Sequence, residues 1–180
     1  MERSRAATCA LYEKSVGSIL RRLQTVYIET TIPSYLAARP SSQPSIAADQ
    51  KTTHEWWQNE RSRFRLYTSV FTLDEAGRGD ASAAARRMKF LQGIPELDIP
   101  AALPRIEGDI IKLFRLPPRS ATDASHLALA ILHRMDYLLT WNCAHLANAS
   151  HQKELMEYCT YHSLHVPIIC TPETLTQEQP

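Results

Sequence analysis

Residues 119–148, RSATDASHLALAILHRMDYLLTWNCAHLAN, constrain the fold more than any other stretch, because they read as a helix followed at once by a strand. Ala124, Leu127, Ala128, Ile131 and Met135 recur at helical spacing and make one apolar face. Ser120 is placed to cap that helix, and Asp123 three residues on completes a Ser-x-x-Asp capping pattern. Residues 137–141 are then apolar without alternation, which suits a strand covered on both faces, as in a parallel sheet. Thr140, Asn142 and His145 fall where that strand runs out. In open α/β sheets, chemistry sits outside the carboxyl ends of the strands. An acid that opens a helix and polar groups that close a strand are therefore the pattern to seek elsewhere.

The pattern recurs. Residues 25–28 are β-rich and buried in character, Glu29 follows them directly, and Pro33 opens a helical segment through Leu36. Residues 39–44 are a loop by composition, and 45–62 look helical. A second strand is expected over 64–71, followed by Thr72-Leu73-Asp74-Glu75, another capping-box pattern, and a helix over 81–92. A short third strand over 97–99 is bounded by prolines, and a helix over 106–116 ends at Pro117-Pro118. Ser150 is expected to cap a helix through about residue 162, and 166–170 form a last strand. Such alternation predicts an α/β fold: one domain over 25–174, with a small, mainly parallel sheet flanked by helices. Residues 1–24, with five basic and two acidic residues, read as an extension, and 175–180 as a polar tail.

Composition narrows the function classes. At 44% hydrophobic and 22% charged, the 180 residues have a globular balance, and no apolar run approaches the roughly 20 needed to span a bilayer. The expectation is a protein without a membrane segment. A net charge of +1 gives no general basic field, so nucleic acid would have to meet a local patch. Arg61, Arg63 and Arg65 make one small basic cluster, and the paired Trp56 and Trp57 before it favour packing over base stacking. Four scattered cysteines with no secretory segment ahead of them point to a reduced, cytoplasmic protein.

Four polar positions carry the candidate chemistry: Glu29 after the first strand, Glu75 after the second, Asp123 opening a helix and Asn142 after the fourth. Together they would make an oxygen-ligand site for a hard cation such as Mg²⁺ or Mn²⁺. Such an ion binds a phosphodiester, acidifies water and neutralises a leaving oxygen. Taken singly, each has a local explanation. Glu75 and Asp123 occupy positions where acids support a helix start, and Asn142 suits a turn. A zinc reading competes in the carboxyl half through Cys143, His145, Cys159, His162, His165 and Cys170, but their spacings match no common zinc pattern.

VYIETTIPSYL, LDEAGRGD, ATDASHLALAI and YLLTWNCAHLAN, in that order, resemble the PIN-domain family, and within it the VapC-type toxins of toxin–antitoxin pairs. The resemblance covers residues 26–174, and its most specific parts are Asp123-x-x-His126 and Leu138 to Asn142. It implies a small parallel sheet between helices and Mg²⁺- or Mn²⁺-dependent cleavage of RNA. A homodimer and silencing by a small antitoxin are implied with them. Carried over residue by residue, Glu29, Glu75 and Asp123 are the catalytic, metal-holding acids, and Asn142 is a fourth ligand through its carbonyl. Thr140 is a supporting or phosphate-contacting hydroxyl. The first position is usually Asp in the family and the fourth often Asp, so Glu29 reaches one methylene further and Asn142 adds no charge. Asp74 is the substitute should the register shift by one. His126 is expected to cap and pack, and the role of His145 stays open. The competing class is a catalytically degraded PIN-like module that binds RNA or a partner without cutting.

Overall fold

Thr25, Val26, Tyr27 and Ile28 are all buried, as a strand covered on both faces must be, and they form the central strand β1 (Thr25–Ile28). The structure is a computed structural model and describes residues 22–176. Around β1 lie β2 (Arg65–Ser69), β3 (Glu96–Leu97), β4 (Tyr137–Leu139) and β5 (Ile168–Cys170), in the spatial order β3-β2-β1-β4-β5. Every pairing is parallel, so the expected α/β class holds with a sheet that is wholly parallel. The order runs outward from β1 in two directions and reverses between β1 and β4. That is the place where such a sheet opens a crevice at its carboxyl end.

Among the described residues seven α-helices cover the two faces: α1 (Thr31–Ala37), α2 (Pro44–Asn59), α3 (Val70–Ala76), α4 (Ala81–Leu91), α5 (Leu103–Leu113), α6 (Ala121–Leu132) and α7 (Ala149–Tyr161). The pleat sends alternate side chains of β1 and β4 to opposite cores. Tyr27 and Leu138 pack with Ile106, Ile110, Leu127 and Ile131 on one side. Val26, Ile28 and Leu139 pack with Ile32, Leu36, Trp56 and Trp57 on the other. Each large side chain buried in this way contributes about 1.5–3 kcal/mol, so the floor beneath the strand ends is firmly held. The tryptophan pair packs as expected: Trp56 Nε1 donates to the Leu175 carbonyl at 2.8 Å, and Trp57 meets Phe90 edge-on. Arg61 lies over the Trp57 ring, and Arg63 pairs with Glu60 at 2.8 Å.

Several local expectations are corrected. The second strand stops at Ser69, and Val70 and Phe71 already belong to α3, so Glu75 lies near that helix's end and not in a capping box. Thr72 donates to the Ile28 carbonyl at 3.2 Å. Ser120 precedes α6 without a side-chain cap, and α7 is capped by Asn148, which accepts from Ser150 N at 3.0 Å. Strand β3 has two residues, starting one before the expected stretch, and α5 begins three residues early. Pro33 is the third residue of α1, where its missing N–H costs nothing because no carbonyl in the helix would receive it. The expectation of an amino-terminal extension falls largely on residues 1–21 and that of a tail on 177–180, both outside the described residues.

At the sheet edge, Gln152 of α7 covers β5. Its Oε1 accepts from Ile169 N at 3.2 Å and its Nε2 donates to the Pro167 carbonyl at 3.3 Å. One side-chain amide thus takes up the groups that a neighbouring strand would otherwise pair.

Candidate metal centre

Glu29 immediately follows β1 and Thr140 immediately follows β4, so both stand at the reversal of strand order. Glu29 is 4% exposed, and its Oε2 accepts three bonds: from Thr31 N at 3.1 Å, Thr31 Oγ1 at 2.6 Å and Thr140 Oγ1 at 2.8 Å. The hydroxyls are themselves aimed by the backbone. Thr31 Oγ1 accepts from Trp141 N at 2.8 Å and Thr140 Oγ1 from Asn142 N at 2.9 Å, which leaves each proton to point at the carboxylate. All three bonds end on Oε2, leaving Oε1 for another partner.

Glu75 reaches the same place from α3. Its Oε2 accepts from Thr30 Oγ1 at 2.5 Å and from His126 Nε2 at 3.2 Å. Burial pushes the Glu75 carboxyl up, but the bonds from His126 and Thr30 and the charge of His126 outweigh it and hold the group below its ordinary 4.5. His126 is 1% exposed, and its Nδ1 lies 2.7 Å from the Tyr27 hydroxyl, which in turn lies 2.6 Å from Ser69 Oγ. Burial alone would lower the imidazole. The Tyr27 oxygen and the carboxylates of Glu75 and Glu29 reverse that and raise it to about 10. Nε2 donates to Glu75, because a carboxylate oxygen can only accept, and Nδ1 shares the second hydrogen bond with the Tyr27 hydroxyl.

Asp123 sits three residues before His126, on the same side of α6. Its Oδ1 accepts from Asn142 Nδ2 at 3.0 Å. Burial raises the Asp123 carboxyl above 3.8 and the nearby charge of Glu75 adds to this, against the opposing pull of Asn142 and two histidines. Asn142 is held through both atoms of its amide. Its Oδ1 accepts from His145 N at 3.1 Å, so its oxygen is committed to the loop and its amide to Asp123. Asp74, the alternative acid, is exposed, whereas Glu75 is tied into the group.

Glu29, Glu75 and His126 each bring one possible ligand atom within 4.8 Å of the other two. Ligands about 2.1 Å from Mg²⁺ lie at most roughly 4.2 Å apart across the ion. Between Glu29 and Glu75 a contraction of about half an ångström would fit such a cation, and two carboxylates are suitable donors. Among the described residues no other His, Cys, Asp and Glu side chains gather three together, so the competing thiol and imidazole positions are dispersed. Burial raises Cys159 to about 11 and Cys170 to about 12, and His165 Nε2 lies 2.7 Å from the Met135 carbonyl.

The residue that sequence reasoning placed elsewhere is His126, expected to cap and pack. A signal for it existed: a lone imidazole on the apolar face of α6 and a lone phenol in β1 are both buried polar groups that need partners. Their pairing across 99 residues is visible only in three dimensions.

A parallel α/β sheet with two carboxylates and an imidazole at its topological switch point defines a protein with a candidate divalent-cation site. No protein-family model matches this chain, and no curated protein matches it. Among solved structures the chain is similar to Mycobacterium tuberculosis VapC20, a toxin that cleaves the sarcin-ricin loop. Identity is 14%, covering 66% of this chain and 91% of that one, with a TM-score of 0.47. At that identity and score the likeness assigns no function to this chain.

Proposed function

We propose that this chain is a metal-dependent endoribonuclease with one PIN-like domain over residues 25–174, the toxin of a toxin–antitoxin pair. The observation that carries the reading is the convergence of Glu29 and Glu75 at the reversal of strand order, with Asp123 beside them. The sequence motifs at these positions support it. Glu29 and Glu75 would hold Mg²⁺ or Mn²⁺, and Asp123 would complete the acidic group directly or through water. The ion would supply charge neutralisation for a phosphodiester and an acidified water. The chain's own part is to hold the acids in place. Thr31 and Thr140 fix Glu29, Thr30 and His126 fix Glu75, and Asn142 fixes Asp123. An RNA substrate, a homodimer and a small antitoxin partner belong to the same reading.

A second reading, a module that binds RNA or a partner without cutting it, is favoured by Asn142, which brings no charge and whose oxygen already accepts from His145 N. The test is to incubate metal-free protein with total RNA, with and without Mn²⁺, and to map new ends. Cleavage that needs Mn²⁺ and is lost in Asp123→Asn supports the enzyme. RNA retained but uncut at every Mn²⁺ concentration supports the module.

A further inference from the structure

Beneath the acids runs a buried line of polar groups: Glu75 Oε2, His126 Nε2 at 3.2 Å, His126 Nδ1 to the Tyr27 hydroxyl at 2.7 Å, and that hydroxyl to Ser69 Oγ at 2.6 Å. It joins α3, α6, β1 and the end of β2. Its middle members are closed to solvent, with Tyr27 at 0%, Ser69 at 0% and His126 at 1% exposure. A second hydroxyl, Thr72 Oγ1, lies 3.4 Å from the phenol. Along α6 the residues on the same side as His126 are Thr122, Asp123, Leu129 and Ala130, and Phe71 lies edge-on to its ring. An aliphatic side chain would fill the space but leave Glu75 and the Tyr27 hydroxyl each one partner short. Packing alone therefore gives no reason for an imidazole here.

We propose that His126 is a positioning residue, anchored through Nδ1 by Tyr27, that donates from Nε2 to Glu75 and presets this carboxylate for the cation. The inference rests on the divalent-cation reading of the site. A carboxylate can only accept, so Nε2 carries a proton in this bond, and a protonated ring nitrogen cannot also ligate an ion. His126 thus stands behind Glu75 and is not a third ligand. The Tyr27–Ser69 contact fixes the ring, and Thr30 takes the same Glu75 oxygen at 2.5 Å. Glu75 is thereby tied to two fixed points before any ion arrives. Partners of ligating carboxylates typically matter about 10- to 100-fold in metal affinity.

The test compares the full chain with His126→Leu, His126→Gln and Tyr27→Phe, titrating Mn²⁺ and following its electron paramagnetic resonance, with melting recorded in parallel without metal. His126→Leu, which leaves Glu75 without its buried donor, should melt below the parent and, in the folded protein, bind Mn²⁺ about 10- to 100-fold more weakly. His126→Gln, whose amide can still donate to Glu75, should recover most of the affinity, and Tyr27→Phe should lose severalfold with the imidazole intact. A purely packing role would instead rank the variants by melting temperature and leave affinity alone. Should His126→Leu not fold, the glutamine and Tyr27→Phe variants still carry the comparison. Parent-like Mn²⁺ affinity in all folded variants overturns the inference while leaving the site intact. Nitrogen coupling to Mn²⁺ in protein labelled with ¹⁵N-histidine overturns it too, by making His126 a ligand. A parent that binds no Mn²⁺ up to millimolar concentration overturns the reading of the site and this inference with it.

Discussion

The strands β1 and β4 are closed at both ends by a carboxylate held by threonine, and the two ends differ in how their charge is met. At the amino end, Asp136 Oδ2 accepts from Thr25 N at 2.7 Å and Thr25 Oγ1 at 2.8 Å, and Arg22 lies 3.6 Å away. Thr25 Oγ1 in turn accepts from Asp136 N at 2.9 Å, so the pair closes on itself. One acid there faces one base and two neutral donors. At the carboxyl end, Glu29 is likewise held by threonines, but Glu75 and Asp123 join it, and two imidazoles, His126 and His145, face the three carboxylates. The first arrangement ties two strands. The second leaves a surplus of negative charge in a half-buried crevice, which a cation would relieve.

The largest expected effect lies at the surplus end. Glu75→Gln keeps the shape and an oxygen to accept from Thr30, but removes one charge from the cation. Mn²⁺-dependent RNA cleavage should fall at least about a hundredfold, a difference of several kcal/mol in transition-state stabilisation. Single-turnover cleavage of the mapped RNA measures it, and an unchanged rate would make the two ends equivalent in kind.

The compensated end should show the reverse. Asp136→Ala removes two hydrogen-bond acceptor contacts and should cost about 1–3 kcal/mol in urea unfolding, with Mn²⁺ affinity unaltered. Burial pushes the Asp136 carboxyl up, but the Thr25 bonds and Arg22 hold it below its ordinary 3.8. Because the folded chain binds this proton less readily than the unfolded chain, the stabilisation is present above about pH 4. It fades as pH falls through the lower folded value. The gap between parent and Asp136→Ala should therefore narrow on acidification below about pH 4. A gap that stays constant down to pH 2 would remove the charge from the account of this clamp.

Gln152→Ala offers an uncharged reference, since it exposes the β5 edge without touching either carboxylate. A loss of about 1 kcal/mol is expected, together with self-association at high concentration seen by light scattering. The smallest effect on stability is at Asp123. In metal-free protein, Asp123→Asn relieves a carboxylate that burial and Glu75 disfavour, so its melting temperature at pH 7 should match or slightly exceed the parent's. A clear drop would instead mark Asp123 as a compensated, structural acid like Asp136.

Much of this contrast was legible in the residues. A strand buried on both faces must be apolar along its whole length, so residues 25–28 and the apolar run from Tyr137 showed themselves, and the polar residue that ends each run marks the strand's exit. Glu29 and Thr140 were found in that way. The β2 to α3 junction was not, because Ser69 passes into Val70 with no glycine or proline between, and an apolar run does not say where strand becomes helix. Glu75 was therefore assigned to a helix start although it lies one turn further along.

By itself, then, the sequence determined the alternation of strands and helices, the wholly buried character of the central strands and the acids at their ends. These follow from side-chain periodicity and backbone preference, which act over a few residues. The tertiary structure alone decided which of those acids share a crevice, because the strand order that places β1 beside β4 joins residues more than a hundred positions apart. It also decided that Asn142 turns its oxygen to the loop and that His126 stands behind Glu75, since a polar group's partner is fixed by what lies within about 3 Å in the folded chain.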